Sequence, residues 1–349
     1  MSSFTSRTPI DSLHGHIGTE VTVCGWVHGR RDHGKLIFLD LRDATGVVQA
    51  VALPSHSEAR EAADAVRGEY VVQVAAQVNK RPEKMVNADE ANGDIELELL
   101  SVEVLNSSET PPFDVTEDTT EIDEQVRLQY RYLDLRSERL QRNIRTRSAF
   151  VQHCREYLFE HAFMEIETPL LTESTPEGSR DFVVPSRLQP GKFYALPQSP
   201  QQYKQLLMTA GFERYFQLAR ALRDEDLRAD RGFEHTQIDL EMSFVERDDV
   251  MRMVEGMVTH AVEKMGFTIK AKPFPRITYK ESMEKYGDDK FDLRTEEEKK
   301  AGVLAYAWVV DFPQFEKTEG GGWTFSHNPF SMPLPEYVEN LLAGKNVES

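Results

Sequence analysis

The sequence predicts an α+β protein with two domains, a small β-barrel followed by a larger domain that contains an antiparallel hairpin. Three observations support this. The chain has 349 residues, 40% of them apolar, and is long enough to bury two cores. Strand-like segments separated by turn residues dominate residues 1–106. Further along, apolar and polar residues alternate from Ile238 to Phe244, as in a half-buried strand.

Residues 1–106, the first predicted domain, contain five strand-like segments and one short helix. The Ala- and Glu-rich segment 57–66 is predicted to be helical, and Asp43 to Gly46 to form a tight turn. The strands are predicted at 21–28, 36–42, 47–52, 70–78 and 95–105. This order is typical of an oligonucleotide-binding (OB) fold, in which the second and third strands carry the face that binds single strands.

Residues on that face and at the loop that leads into it suit single-stranded RNA. On the face, Phe38 offers a ring for stacking and Gln49 an amide for a base edge, and at the entry loop Arg30 and Arg31 offer donors for phosphate. Periodicity alone leaves Phe38 equally compatible with a core position. The net charge of −18 argues against a nucleic-acid partner, but a local basic stretch such as 28–35 can bind RNA within an acidic protein.

Composition predicts a soluble cytoplasmic protein with no membrane partner. No apolar run approaches ~18 residues, and the first residues lack a hydrophobic signal segment. Cys24 and Cys154 are the two cysteines, which excludes a disulfide framework and a cysteine metal site and fits a reducing compartment.

Between the two domains, residues 107–125 are rich in Pro, Thr and acids and are predicted to be a linker. The second domain, 126–349, opens with a basic stretch that suits either a charged surface helix or contact with an RNA backbone. Its arginines are Arg127, Arg131, Arg136, Arg139, Arg142, Arg145 and Arg147. An amphipathic helix is predicted over 142–163, followed by a strand that opens with Pro169.

Residues 220–241 pack alternating acids and bases between two strand-like runs, so the charges are expected at the tip and shoulders of an antiparallel hairpin. Arginines and carboxylates fixed on a rigid ribbon suit a polyphosphate and an adenine. A solvated charged loop is the ordinary alternative.

The segment 216–239 resembles the second sequence motif of class II aminoacyl-tRNA synthetases. With Arg-Asp-Glu-Asp-Leu-Arg-Ala-Asp-Arg followed by Thr-Gln-Ile-Asp, it resembles the aspartyl enzymes of that class. The segment 142–171 resembles the first motif, which builds the dimer interface in the family and implies a homodimer. The resemblance implies an N-terminal five-stranded OB-fold barrel that binds the anticodon, followed by a class II synthetase antiparallel-sheet catalytic domain.

The resemblance also implies a nucleotide site and an amino-acid site. Arg223 would bind the α-phosphate of ATP, Glu225 the adenine amino group, and Phe233 would stack on the adenine ring. Lys204, in a helix that starts at Pro200, would hold the side-chain carboxylate of aspartate. The amino terminus of a helix favours such an anion, although most lysines simply lie at the surface. The other positions that match aspartate-binding residues are Glu177, Ser199, Gln201, Gln237, Asp239 and His327.

In the barrel, the resemblance implies that Phe38 stacks on the central anticodon base and that Gln49 and Glu96 read neighbouring bases. His33, at the tip of the basic loop, is our candidate for tolerance of the tRNA for asparagine as well as that for aspartate. At Gly29 many relatives carry another arginine, which puts a phosphate contact there in doubt.

The implied reaction uses ATP and Mg²⁺: the α-carboxylate of aspartate attacks the α-phosphorus, pyrophosphate leaves, and the terminal ribose hydroxyl of tRNA attacks the adenylate. The third class II motif, Gly-x-Gly-x-x-x-Arg, does not occur up to Ser349. We therefore expect the catalytic domain to be incomplete at its C-terminal end, with the Mg²⁺ ligands beyond Ser349. The large insertion of bacterial relatives is also absent between Arg294 and Trp308.

Two alternatives remain. An asparaginyl-tRNA synthetase is disfavoured by Lys204, and a non-catalytic tRNA-binding or regulatory paralogue is favoured by the missing third motif. Because that motif supplies the arginine for the γ-phosphate, residues 1–349 by themselves are expected to bind RNA without forming an adenylate.

Overall fold

The computed structural model describes residues 7–175, 179–227, 232–318, 321–326 and 335–343. The chain forms two compact units, Met1–Arg145 and Thr146–Ser349. Residues 107–125, predicted to be a linker, lie within the first unit. None of the helices within the described ranges has the length and apolar content that crossing a membrane requires.

The first unit is a closed five-stranded barrel, which confirms the predicted fold. The strands are β1 Glu20–Asp32, β2 Ile37–Arg42, β3 Val47–Ala52, β4 Val71–Lys80 and β5 Ile95–Asn106. They neighbour one another in the order β1, β2, β3, β5, β4. Helix α1, Ser57–Ala65, lies between β3 and β4 in the sequence, as predicted.

Strand β2 shows how the sequence places residues inside and outside the barrel. Ile37, Leu39 and Leu41 are fully buried in the core. Because successive side chains of a strand point to opposite faces, Phe38 and Asp40 lie on the outer surface and are only partly buried. The core position that periodicity left open for Phe38 is therefore excluded.

Some arginines of the basic stretch that follows the predicted linker form ion pairs with buried carboxylates of the first unit. Glu69 is 4% exposed and accepts hydrogen bonds from Arg42 on β2 and from Arg136, whose guanidinium also lies over the Trp26 ring. Such pairing is what makes a buried carboxylate tolerable. Fully buried Asp134 likewise binds the Thr119 hydroxyl, at 2.5 Å, and Arg131. The short elements of this segment are a 3₁₀ helix, Thr119–Glu121, and the helices α2, Glu124–Gln129, and α3, Arg131–Asp134.

The second unit is built on the predicted hairpin. Strands β9, Arg214–Leu222, and β10, Glu234–Met242, pair antiparallel, and β6, Met164–Glu165, adds a parallel strand beside β9. Ile238, Leu240 and Met242 face a core formed with two helices, α4, Glu138–Glu160, and α6, Arg247–Lys264. The alternate positions on β10, which are polar, therefore face the other way.

Two boundaries in this unit differ from the sequence prediction. Helix α4 runs over Glu138–Glu160 and stops before Ala162, which takes a positive φ of 62°. The strand expected to open with Pro169 does not form: β6 ends at Glu165, and beyond the proline Thr172 makes one isolated bridge to Ala195. Proline has no N–H to donate to a ladder, which explains the interruption.

The second unit contains further helices and strands outside the hairpin. The helices are α5 Gln201–Thr209, α6 Arg247–Lys264, α7 Tyr279–Tyr286, α8 Glu296–Lys300 and α9 Pro335–Leu342. The strands are β7 Val183–Pro185, β8 Phe193–Ala195, β11 Arg276–Thr278, β12 Trp308–Val310, β13 Phe315–Lys317 and β14 Trp323–Phe325. The pairs β7–β8 and β13–β14 are antiparallel and β11–β12 is parallel.

Candidate functional site

Lys204 lies between two carboxylates on the polar face of the hairpin. It is the fourth residue of α5, which begins directly after Pro200 as predicted. Its Nζ is 3.0 Å from Asp239 Oδ1 and 3.2 Å from Glu241 Oε2. The side chains of Lys204 and Asp239 are 12% and 10% exposed, so this ion pair is largely removed from water. The cluster of Lys204, Asp239 and Glu241 therefore presents both positive and negative charge, as a small zwitterionic ligand would require.

The polar face continues from β10 onto β9. Asp239 pairs with Gln217 and Glu241 with Tyr215, which is fully buried. Burial, with the nearby Asp239 carboxylate, raises the pKa of the Tyr215 phenol, which therefore stays protonated as a donor. The Tyr215 hydroxyl interacts with the side chains of Asp239 and Gln217. Three polar side chains, each at most 10% exposed, are thus clustered on this face.

The residues before α5 tie a neighbouring loop to the start of that helix. Ser199 Oγ accepts a hydrogen bond from the backbone N–H of Gln201 at 3.3 Å. The Gln198 side chain, 1% exposed, accepts from Ser179 N at 3.0 Å and donates to Asp181 Oδ1 at 2.5 Å. Ser199 and Gln201, both predicted, therefore lie at the amino end of the helix that carries Lys204. Gln198 was not predicted, although it directly precedes Ser199.

The three predicted nucleotide residues lie in the loop that connects the two strands of the hairpin, 223–233. The Arg223 N–H donates to the carbonyl of Phe233 at 2.8 Å, extending the ladder beyond the two strands. Phe233 is 44% exposed and lies edge-on to Phe182, with ring centroids 5.7 Å apart. Glu225 accepts a hydrogen bond from the Ser179 hydroxyl. The buried Nε of Arg223 has no partner among the described residues and can donate to an anion.

Two more residues share the polar face of β10 with Gln237 and Asp239. His235 pairs with Ala221, and Glu241 pairs with Tyr215. His235 lies two residues before Gln237, and Glu241 lies two residues after Asp239. The period-two alternation that predicted β10 therefore places both on the same face and could have identified them from the sequence. Glu177 and His327 lie outside the described residues.

On the barrel, a chain of hydrogen bonds crosses four strands. Arg31 Nη2 on β1 donates to Asp40 Oδ1 on β2 at 2.9 Å and to Gln49 Oε1 on β3 at 3.1 Å. Gln49 Nε2 approaches Glu96 Oε2 on β5 at 3.4 Å. Burial raises the pKa of the Asp40 carboxyl, and the Arg31 guanidinium opposes this effect.

Phe38 and His33 form an aromatic pair beside this chain, with centroids 5.5 Å apart and rings nearly perpendicular. Arg30 is held by Asp64 at 2.7 Å and is 22% exposed, whereas Arg31 is 51% exposed and is the more accessible of the two. Arg81, just after β4, was not predicted. Its Nε and Nη2 are buried and without a partner among the described residues.

Comparisons with known proteins agree with both halves of this description. The family described as tRNA synthetases class II (D, K and N) matches residues 123–348, and the family described as OB-fold nucleic acid binding domain matches 21–105. The crystal structure of asparaginyl-tRNA synthetase from Pyrococcus horikoshii complexed with asparaginyl-adenylate superimposes with a TM-score of 0.69 at 24% identity. This superposition covers 84% of this chain and 70% of that one, and supports the fold.

Two sequence relatives are similar over most of this chain. An aspartate–tRNA(Asp/Asn) ligase of Rubrobacter xylanophilus is 55% identical over 292 residues, which are 83% of this chain and 48% of the relative. An aspartate–tRNA ligase of Staphylococcus aureus (strain Newman) is 50% identical over 303 residues, which are 86% of this chain and 51% of the relative. The chain thus spans about half the length of these relatives. With the family match over 123–348, the chain belongs to the class II tRNA synthetases of the D, K and N group.

Proposed function

We propose that the protein attaches aspartate to tRNA in two steps, through an aspartyl-adenylate formed from ATP. The observation that carries this proposal is the position of Lys204, whose ammonium lies beside Asp239 and Glu241 on one polar face. Aspartate carries two carboxylates and one ammonium. Its side-chain carboxylate fits Lys204, and its ammonium fits the acidic side of the cluster. The names of the two sequence relatives agree with this substrate.

The nucleotide would lie at the loop end of the hairpin. Arg223 would bind the α-phosphate through its unpaired Nε, while Glu225 and the exposed Phe233 would hold the adenine. In this mechanism the protein positions the aspartate α-carboxylate for attack on the α-phosphorus and stabilises the charge that develops there. The terminal ribose hydroxyl of tRNA then attacks the adenylate carbonyl, so that an ester bond to the ribose forms and AMP leaves. Neither step needs a covalent bond to the protein.

Mg²⁺ is expected with ATP in this family. Within the ranges that the structure describes, no three His, Cys, Asp or Glu side chains come together in a way that could hold a metal ion.

The organisation of the whole protein is part of the proposal. Residues 1–106 would form the anticodon-binding domain, 107–125 the linker and 126–349 the catalytic domain of a cytoplasmic homodimer. The dimer is proposed from the resemblance of 142–171 to the first class II motif. In the second unit, Phe159, Leu170 and Leu171 of this segment are exposed and are available to an interface.

The choice of aspartate over asparagine tests the proposal directly. In ATP–pyrophosphate exchange, the protein expressed from its complete gene should respond to aspartate, and to asparagine at least about 100-fold less. A site built around a cation leaves polar groups unpaired when the ligand is neutral. A preference for asparagine would favour the asparaginyl alternative. Exchange with neither amino acid, together with retained RNA binding, would favour a non-catalytic tRNA-binding protein.

His33 is proposed to decide whether the tRNA for asparagine is also charged. Its ring contacts Phe38, the proposed stacking platform, and one sequence relative is named for both tRNAs. His33→Leu should lower charging of the asparagine tRNA relative to the aspartate tRNA by about two- to tenfold, the worth of one aromatic contact. Aminoacylation of both tRNAs with labelled aspartate measures this ratio. An unchanged ratio would exclude His33 from the choice.

A further inference from the structure

Asp40 is a carboxylate on a surface that is proposed to bind a polyanion. It lies on the outer face of β2, beside Arg31 and near Gln49. A negative charge at such a place weakens binding of any RNA phosphate. Asp40 is therefore expected to have a role other than direct RNA binding, and its contacts indicate that role.

Asp40 holds the arginine that orients Gln49. The same nitrogen of Arg31, Nη2, donates to Asp40 Oδ1 at 2.9 Å and to Gln49 Oε1 at 3.1 Å. Gln49 Nε2 faces Glu96 at 3.4 Å, so the two ends of the amide have different partners. These two contacts fix the orientation of the Gln49 amide, with Oε1 directed to Arg31 and Nε2 to Glu96. A side chain can distinguish one base edge from another only if the positions of its donor and its acceptor are fixed.

Gly29 makes room for this arrangement. It is paired with Asp40 across β1 and β2, next to a register shift that follows Val27. A Cβ atom built at Gly29 would lie 2.7 Å from Asp40 Oδ2. Any side chain there would therefore have to displace the carboxylate. With glycine at this position, the Asp40 carboxylate can keep the orientation in which its Oδ1 accepts the hydrogen bond from Arg31.

We propose that Asp40, in the space left by Gly29, is a positioning residue that fixes the orientation of Gln49 through Arg31 and so determines which base is accepted in the anticodon loop. The inference rests on the proposed function, since it assumes that the barrel binds the anticodon. It assigns Asp40 no contact with RNA.

The test is a binding study of the full chain with anticodon hairpins of the aspartate tRNA that carry each base at each anticodon position. Gln49→Ala first identifies the position that Gln49 discriminates. Asp40→Ala should lose discrimination at that position alone, by about fivefold. Affinity for hairpins already mismatched there should stay unchanged or rise, because a negative charge is removed. Asp40→Asn, which keeps an oxygen acceptor for Arg31, should retain part of the discrimination.

A double-mutant cycle separates positioning from a general structural effect. In the Gln49→Ala background, Asp40→Ala should change discrimination no further. Gly29→Ala, which obliges only a flexible carboxylate to move, should reproduce much of the loss. Asp64→Ala is the matched control, because Asp64 also binds a barrel arginine but holds Arg30 and has no link to Gln49. It should leave discrimination intact.

Three results would overturn the inference while leaving the proposed function in place: an unchanged pattern in Asp40→Ala, a loss at all three positions, or additive effects in the double variant. A wild-type chain that binds the hairpins without distinguishing any anticodon base would contradict both anticodon recognition and the role of Asp40.

Discussion

Replacing Lys204 with methionine is expected to lower aspartate-dependent ATP–pyrophosphate exchange by more than tenfold, with the protein expressed from its complete gene. The substitution keeps the length of the side chain but removes the cation that is proposed to bind the substrate carboxylate. Losing one member of a buried, hydrogen-bonded charge pair typically costs about 2–5 kcal/mol. The loss should appear mainly in the KM for aspartate and much less in the KM for ATP, because the nucleotide residues lie at the other end of the hairpin.

The same substitution leaves Asp239 and Glu241 without their shared cation, so the unfolding temperature should also fall. Lys270→Met is the matched control: Lys270 forms an ion pair with Glu298 at 2.7 Å in the same unit, and both side chains are about a third exposed. Such partly exposed ion pairs contribute about 0–1 kcal/mol to the free energy of unfolding. Lys270→Met should therefore lower the unfolding temperature little and leave ATP–pyrophosphate exchange unchanged. If folded Lys204→Met protein kept the wild-type KM for aspartate, Lys204 would not be the carboxylate-binding residue.

Replacing Phe38 with alanine should weaken binding of the aspartate tRNA by about 1–3 kcal/mol, roughly 5- to 150-fold in Kd, the usual worth of one base stacked on an aromatic ring. Adenylate formation should be unaffected, because Phe38 belongs to the barrel. Filter binding at fixed salt measures the change, since the electrostatic part of RNA affinity depends strongly on salt. An unchanged Kd would remove Phe38 from the RNA interface.

The neighbouring residue provides the control for this experiment. Leu39 is fully buried, whereas Phe38 lies on the outer face of the same strand. Leu39→Ala should cost about 2–5 kcal/mol of stability through the cavity it creates, while Phe38→Ala should barely move the unfolding temperature. Opposite behaviour of the two variants would mean that their positions on the strand are reversed.

The barrel was predictable because its signals are local. Buried and exposed residues alternate through β2, and the strand order was sufficient to predict the fold. The hairpin of the second unit and the start of α5 at Pro200 were predictable for similar reasons. In contrast, the strand expected after Pro169 was wrong, because a missing backbone donor outweighed the apolar character of Leu170 and Leu171.

The parts that were missed depend on contacts distant in the sequence. The bonds from Glu69 to Arg42 and Arg136 join segments that are far apart, and no local pattern marks a carboxylate at position 69 as buried. The same holds for Gln198, whose amide bonds to Ser179 and Asp181 across a loop. The proposed roles at Arg223, Glu225 and Gln237 came from the family resemblance, and the structure adds the arrangement in which they can be tested.

Because apolar and polar side chains alternate along β10, an error in strand register would affect both the core and the proposed site. Ile238 and Leu240 pack in the core, while Asp239 between them holds Lys204. A pairing slip of one residue would exchange these faces, placing a carboxylate in the core and leucine in the proposed aspartate site. The same residues of this strand therefore determine both the stability of the fold and the geometry of the proposed site. A misregistered hairpin would lose both, so quality control that removes unstable chains would also remove chains in which the site has not formed.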